Sequence, residues 1–378
     1  MYSSRMTIFS LVAVVAIILL SACGAGQSPI LSEAGDGGEV SELNIETQAP
    51  TATVMISPSE TLTSTNTWTP TWTAKPTFTH TPSPTPDPYK DLTVEGLATR
   101  SYGGGELVIR EVLAENSAFT RYLIAYPSDG LTIYGFMNVP RSDGPFPVVI
   151  ALHGYIDPEI YRTLDYTTGY ADALARAGYL VIHPNLRNYP PSDEGPNLFR
   201  VGMAIDVLNL VALIKSQGGV DGALEMADSQ RIGLWGHSMG GGVSTRVMTV
   251  NPGVRAVVLY GAMSGDERQN FEAILDWSNG ERGMEELNFP EDELLRVSPI
   301  YHLDRIQSAV SIHHGRSDEL VPLAWSVDLC ERLQNIEKMV ECYIYDGQPH
   351  TFYGDANDLF IQRSIEFYDQ YLRGQRLE

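Results

Sequence analysis

The sequence predicts an α/β domain, a mostly parallel twisted sheet with helices on both faces and a small cap insertion, following a non-globular N-terminal region. Three observations carry this. From about residue 147 onward short apolar runs alternate with helical patterns, the mark of a parallel sheet covered on both sides. Three strand-like segments precede that alternation with no helix between them. One connection, from Tyr260 to Ala309, is too long for a structureless loop inside a compact domain.

The chain has 378 residues, and its beginning does not read as domain material. Arg5 precedes an apolar stretch from Ile8 to Leu20, too short to cross a bilayer and typical of a signal-peptide core. Residues 1–22 are therefore expected to be a signal peptide. They run into Leu20-Ser21-Ala22-Cys23-Gly24, which resembles the lipobox of bacterial lipoproteins; that resemblance makes Cys23 the lipid-attachment residue. Two or more acyl chains give stable anchoring, at roughly 0.8 kcal/mol per buried CH₂. The expected location is outside the cytoplasm, tethered to the outer face of the cell membrane. Residues 23–91 are rich in Thr, Ser and Pro and offer little apolar surface to bury, so they read as a disordered stalk. Trp68, Trp72 and Phe78 read as incidental residues of that linker rather than an adhesive motif.

The catalytic domain is expected over 92–378. Residues 106–112, 121–126 and 131–137 read as three strands with turns at Asn116 and Asp129-Gly130, forming an antiparallel edge. Parallel strands are expected at 147–152, 179–183, 231–235, 256–260, 309–314 and 342–345. Helices are expected at about 168–177, 199–216, 240–250, 323–333 and 359–372. The long connection, about 262–302, reads as a cap with a helix near 268–278. Its acidic cluster, Glu281, Glu285, Glu286, Glu291, Asp292 and Glu293, reads as a solvated face in preference to a selector of cationic substrates.

A formal net charge of -22 argues against nucleic-acid binding, which needs a basic face to displace counterions. An acidic protein is also repelled by anionic membranes, so attachment falls to the lipid. Of three cysteines, Cys330 lies in a helical pattern and Cys342 in the following strand. In an exported domain they are either bridged or two buried thiols, and spacing alone leaves both open.

Trp235-Gly236-His237-Ser238-Met239-Gly240-Gly241 sits between an apolar strand and a helical pattern. A serine on such a sharp strand-to-helix turn has its hydroxyl exposed above the sheet, beside the helix's free N–H groups. That is the nucleophile elbow, with Gly236 and Gly240 required by crowding. The bland alternative is a Gly-rich turn with no chemistry. An elbow serine needs a base and a carboxylate to orient it. Asp318 follows the strand that contains His313-His314, and His350 follows the last strand, giving the order Ser238, Asp318, His350. Glu319 and Asp346 are weaker carboxylates, the first pointing away on an extended segment and the second belonging to a turn. His183, His313 and His314 read as packed in or beside strands, and His237 as pointing away from the serine. His350 alone occupies a loop after the last strand, and no histidine has metal-site spacing. The oxyanion donors are expected to be the N–H groups of Met239 and of Tyr155, in the His153-Gly154-Tyr155 loop. This chemistry calls for no cofactor.

From Leu131 to Leu372 these residues resemble the α/β-hydrolase superfamily, and within it the catalytic domain of the prolyl oligopeptidase family and related single-domain esterases. The resemblance rests on His153-Gly154, Pro184-Asn185-Leu186-Arg187, the elbow and Ser298-Pro299. The stretches from His313 to Pro322 and His350-Thr351-Phe352 add to it. It implies a serine hydrolase acting through an acyl-enzyme on small esters or short peptides. Where the peptidases usually carry Tyr after the nucleophile and Gly-Pro after His-Gly, this chain has Met239 and Tyr155-Ile156. It also has no room for their large β-propeller, so esters are the favoured substrates. The alternatives are a prolyl-oligopeptidase-like peptidase or an inactive hydrolase-fold binding module.

Overall fold

The computed structural model describes residues 87–374. The signal peptide, Cys23 and nearly all of the expected stalk lie outside the described residues. The domain begins earlier than the sequence indicated. Tyr89 packs against Phe289 with ring centroids 5.1 Å apart, Asp87 pairs with Arg296, and a 3₁₀ turn spans Lys90–Leu92. Residues 87–91 thus belong to the domain, because an aromatic ring and a carboxylate find partners on it.

The first helix, α1 (Val94–Thr99), is too short to show a period in sequence. Thr93 caps it by accepting a hydrogen bond from Gly96 N at 3.0 Å. Three antiparallel strands follow, β1 (Val108–Glu115), β2 (Phe119–Ser128) and β3 (Leu131–Pro140), joined by the expected turns. The parallel strands are β4 (Phe146–Leu152), β5 (Leu180–Pro184), β6 (Ala227–His237), β7 (Ala256–Tyr260), β8 (Ala309–Gly315) and β9 (Val340–Tyr345). They make one nine-stranded sheet in the order β1-β2-β3-β5-β4-β6-β7-β8-β9. β3 pairs antiparallel with β5, so the opening meander closes one flank of a parallel core.

The helices are α2 (Thr168–Arg176), α3 (Val201–Gln217), α4 (Met239–Val250), α8 (Leu323–Asn335) and α9 (Gly354–Tyr371). Strand residues alternate between the faces, so one strand feeds two cores. Val148, Ile150 and Leu152 of β4 pack with α3, α4 and α8, while Val149 and Ala151 pack with α2 and α9. Burial on both sides explains why β4 and β7 read as unbroken apolar runs. α9 starts five residues before the expected Leu359, since the early turn Gly354–Asp358 has no apolar period to announce it. The cap is helical, with α5 (Glu267–Trp277), α6 (Met284–Leu287) and α7 (Glu291–Val297), followed by a 3₁₀ stretch, Pro299–Arg305.

Cys330 on α8 and Cys342 on β9 form a disulfide, their Cα atoms 6.5 Å apart. The bridge is the alternative realised, because β9 pairs parallel to β8 directly beside the helix that precedes it.

Candidate active site

Ser238 caps the N-terminus of α4 with φ 54° and ψ -117°, a left-handed conformation costly for a residue with a side chain. Its neighbours impose that turn. A Cβ on Gly236 would lie 2.4 Å from Gly240 O and 2.4 Å from Ser244 Oγ, and one on Gly240 would lie 2.4 Å from Leu152 O. Backbone bonds lock the turn in place: Ser238 N donates to Tyr260 O at 2.9 Å, and Gly241 N and Met263 N each donate to Ser238 O at 3.0 Å.

Asp318 and His350 meet as expected. His350 Nδ1 lies 2.7 Å from Asp318 Oδ2, which leaves Nε2 as the nitrogen available to a substrate-facing proton. Asp318 Oδ1 accepts from Leu320 N and Val321 N, both at 2.9 Å. Burial pushes the Asp318 carboxyl upward, but hydrogen bonds from His314 and His350 and from Val321 N–H outweigh it. The net result is well below the usual carboxylate range. The rival carboxylates are elsewhere: Glu319 is exposed, and Asp346 faces solvent against Arg316.

Ser238, Met239, His350 and Tyr155 line one cavity of about 570 Å³, roofed by Phe271, Ile274 and Trp277 of the cap. The His153-Gly154-Tyr155 loop passes directly over the serine, since a Cβ on Gly154 would stand 3.0 Å from Ser238 Cβ. His153 Nδ1 lies 2.7 Å from Gly154 O, and Nε2 lies 2.8 Å from Asn185 O. A carbonyl and the N–H of the same peptide point in opposite directions. Gripping Gly154 O on the His153 side therefore turns the Tyr155 N–H away from that imidazole. The Tyr155 phenol accepts from Arg282 Nη1 and its ring packs edge-on against Trp277, tying the loop to the cap.

Several residues that position these groups were not singled out for it in sequence. His314 is packed as expected, with Nδ1 2.7 Å from Ser326 Oγ, but its Nε2 also lies 3.1 Å from Asp318 Oδ2. His237, expected to point away from the serine, is not among the residues lining the cavity; its Nε2 lies 3.1 Å from the His350 carbonyl and its Nδ1 meets the Tyr166 hydroxyl. Burial, with the neighbouring His350, pushes His237 down to about 3, so the ring is neutral there. The acidic cap cluster is largely solvated, as expected, with Glu291 and Glu293 paired to Arg268 and Arg296, except that Glu286 lines the cavity. Among the described residues no cluster of His, Cys, Asp and Glu has the makings of a metal site.

Two family models match the chain: the prolyl oligopeptidase family over residues 222–375 and the alpha/beta hydrolase fold over residues 147–286. In structure the domain is similar to acetyl xylan esterase 1 from Thermoanaerobacterium, with a TM-score of 0.55 at 17% identity, covering 74% of this chain and 94% of that one. The domain has the α/β-hydrolase fold. A puromycin-hydrolyzing peptidase of Mycobacterium tuberculosis is also similar, with a TM-score of 0.54 at 21% identity over 68% of this chain. The chain spans about two fifths of that peptidase, the covered share being 40%. Among curated relatives, a Methylorubrum extorquens protein described as a "Putative carboxymethylenebutenolidase" is 22% identical over 68% of this chain and 83% of its own length. The uncharacterized peptidase YtmA of Bacillus subtilis is 25% identical over 65% of this chain and 92% of its own. The C-terminal part of the domain is prolyl-oligopeptidase-like, and the protein is a hydrolase of the serine esterase or peptidase type.

Proposed function

We propose that this protein is an exported serine hydrolase, tethered to the membrane through lipidated Cys23, that cleaves small esters and, less readily, short peptides. The supporting observation is the 2.7 Å contact between His350 Nδ1 and Asp318 Oδ2 at a cavity that also holds Ser238 on a strained turn. In this reading His350 Nε2 takes the proton of Ser238 as the serine attacks the substrate carbonyl. The N–H groups of Met239 and Tyr155 receive the oxyanion. The tetrahedral intermediate expels the alcohol, which takes the proton from His350. Water then attacks the acyl-enzyme by the reverse proton path, releasing the acid and restoring Ser238.

Met239, standing where the resembled peptidases carry Tyr, supports the ester preference. The match of the prolyl oligopeptidase family model supports the second reading, a peptidase. A fluorophosphonate probe tests the shared mechanism: an adduct on Ser238 in the folded protein, absent in Ser238→Ala, is the expected result. Equal labelling of the variant, or none of the wild type, overturns it. Turnover of p-nitrophenyl acyl esters against blocked dipeptide amides decides between the readings, and faster amide cleavage overturns the ester preference.

A further inference from the structure

Arg200 enters the active-site cavity on a segment of chain that is strained to deliver it. Phe199 and Arg200 both have left-handed backbones, φ 51° and 57°, two successive non-glycine residues in a conformation that side chains disfavour. Arg246, fully buried on α4, holds that segment by donating from Nη2 to Phe199 O at 3.3 Å. The Arg200 guanidinium lies 4.8 Å from the centre of the Phe271 ring, a cap residue that shares the cavity wall.

The charges around it do not cancel. Arg200 and Arg246 both donate to one carboxylate, Glu267, at 2.5 Å each, and Asn270 Nδ2 donates to it at 3.1 Å. Two guanidiniums therefore share a single buried anion. Only Nη2 of Arg200 is engaged in these bonds. Among the described residues, Asn270 Oδ1 is the one buried side-chain polar atom without a partner. Arg200 itself lines the cavity, and none of its remaining N–H groups is a buried atom left without a partner. The cavity wall also carries Arg282, which has Asp157 and Glu281 as charged neighbours, and the carboxylate Glu286. The excess positive charge is therefore local to Arg200 and Arg246 around Glu267, in a protein whose net charge is -22.

We infer that Arg200 is a specificity-determining residue: it forms an anion subsite in the acyl pocket, and the favoured substrates are esters or amides whose acyl part bears a carboxylate. A guanidinium suits this task because its planar fork of donors matches a carboxylate in two parallel hydrogen bonds. The inference rests on the proposed hydrolase reading, and its test separates the two.

The probes are 4-nitrophenyl hemisuccinate and its neutral methyl ester, which share the same leaving group. For the wild type, kcat/KM is expected to be at least tenfold higher for the anion, and raising NaCl is expected to narrow the gap. In Arg200→Met the anion-to-neutral ratio is expected to fall at least tenfold, chiefly through KM, and Arg200→Lys is expected to keep part of it. Glu267 retains Arg246 in both variants, so its charge is not orphaned. Arg332→Met, on the exposed face of α8, leaves the ratio unchanged. A wild-type ratio at or below one overturns the anion subsite without any variant. So does a ratio that Arg200→Met leaves intact, or an equal loss on both esters. If Ser238 also takes no fluorophosphonate, the hydrolase reading itself fails.

Discussion

At the scale of single residues, Asp318 is the most completely satisfied group in the site. Two imidazoles meet Oδ2 and two backbone N–H groups meet Oδ1, so all four contacts require an acceptor. An amide at this position offers His350 and His314 a donor where each presents its own N–H. Asp318→Asn is therefore expected to lower kcat by about 10⁴-fold while the protein still folds, because the imidazole is then held in the wrong tautomer. Steady-state turnover of a nitrophenyl ester, with circular dichroism for folding, checks this. The primary residues, Ser238, Asp318 and His350, were legible because each lies just past a recognisable apolar strand and chain order constrains the choice. His314, His237 and Tyr166 were not. Their function is to hold Asp318 and the His350 carbonyl, and such contacts across 4 to 113 positions leave no local pattern. Arg200 was hidden for a related reason: no rule of sequence announces a left-handed Phe-Arg pair.

At the scale of elements, every predicted strand has its counterpart, the central β4 and β7 because a strand buried on both faces must be apolar throughout. Where something other than hydrophobicity sets an element the sequence was less legible: α1, capped by Thr93, had no predicted counterpart, and α9 begins with an early turn that carries no apolar period. The elbow shows how close the approach of strand and helix is. A methyl group on Gly236 meets Gly240 O at 2.4 Å, backbone that cannot rotate aside. Gly236→Ala is expected to destabilise the fold by about 1–3 kcal/mol or more and to abolish fluorophosphonate labelling. Urea denaturation together with labelling reads both effects. The bridge between α8 and β9 acts on a separate element: Cys330 and Cys342 are 12 positions apart. Closing a loop of that size restricts the unfolded chain by an amount worth about 3 kcal/mol. Cys330→Ser with Cys342→Ser is expected to lose stability of that order, read as a lower urea midpoint.

For the whole molecule, four buried histidines set the acid limit. Burial pushes His153 and His183 below their ordinary range and holds His237 and His313 at about 3. In the unfolded chain these groups titrate near 6.5, so between about pH 6.5 and 3 the unfolded state binds more protons than the native one. Stability therefore falls as pH drops through that window, by on the order of a few kcal/mol each for His237 and His313. Asp318, depressed in the fold, adds a further loss below about pH 4. A series of thermal melts from pH 8 to 4 checks the direction, and a flat profile between 6.5 and 5 contradicts it.

The position of β9 has one more consequence. It is the outermost strand and pairs only with β8, and the loop leaving it delivers His350. Ser238 and Asp318 belong to strands further back in the chain. A polypeptide emerging from its N-terminus therefore completes the serine's turn more than a hundred residues before the imidazole arrives. On the proposed mechanism, the nascent molecule holds a nucleophile with no proton acceptor until β9 docks, and so passes through its synthesis unable to attack the esters around it.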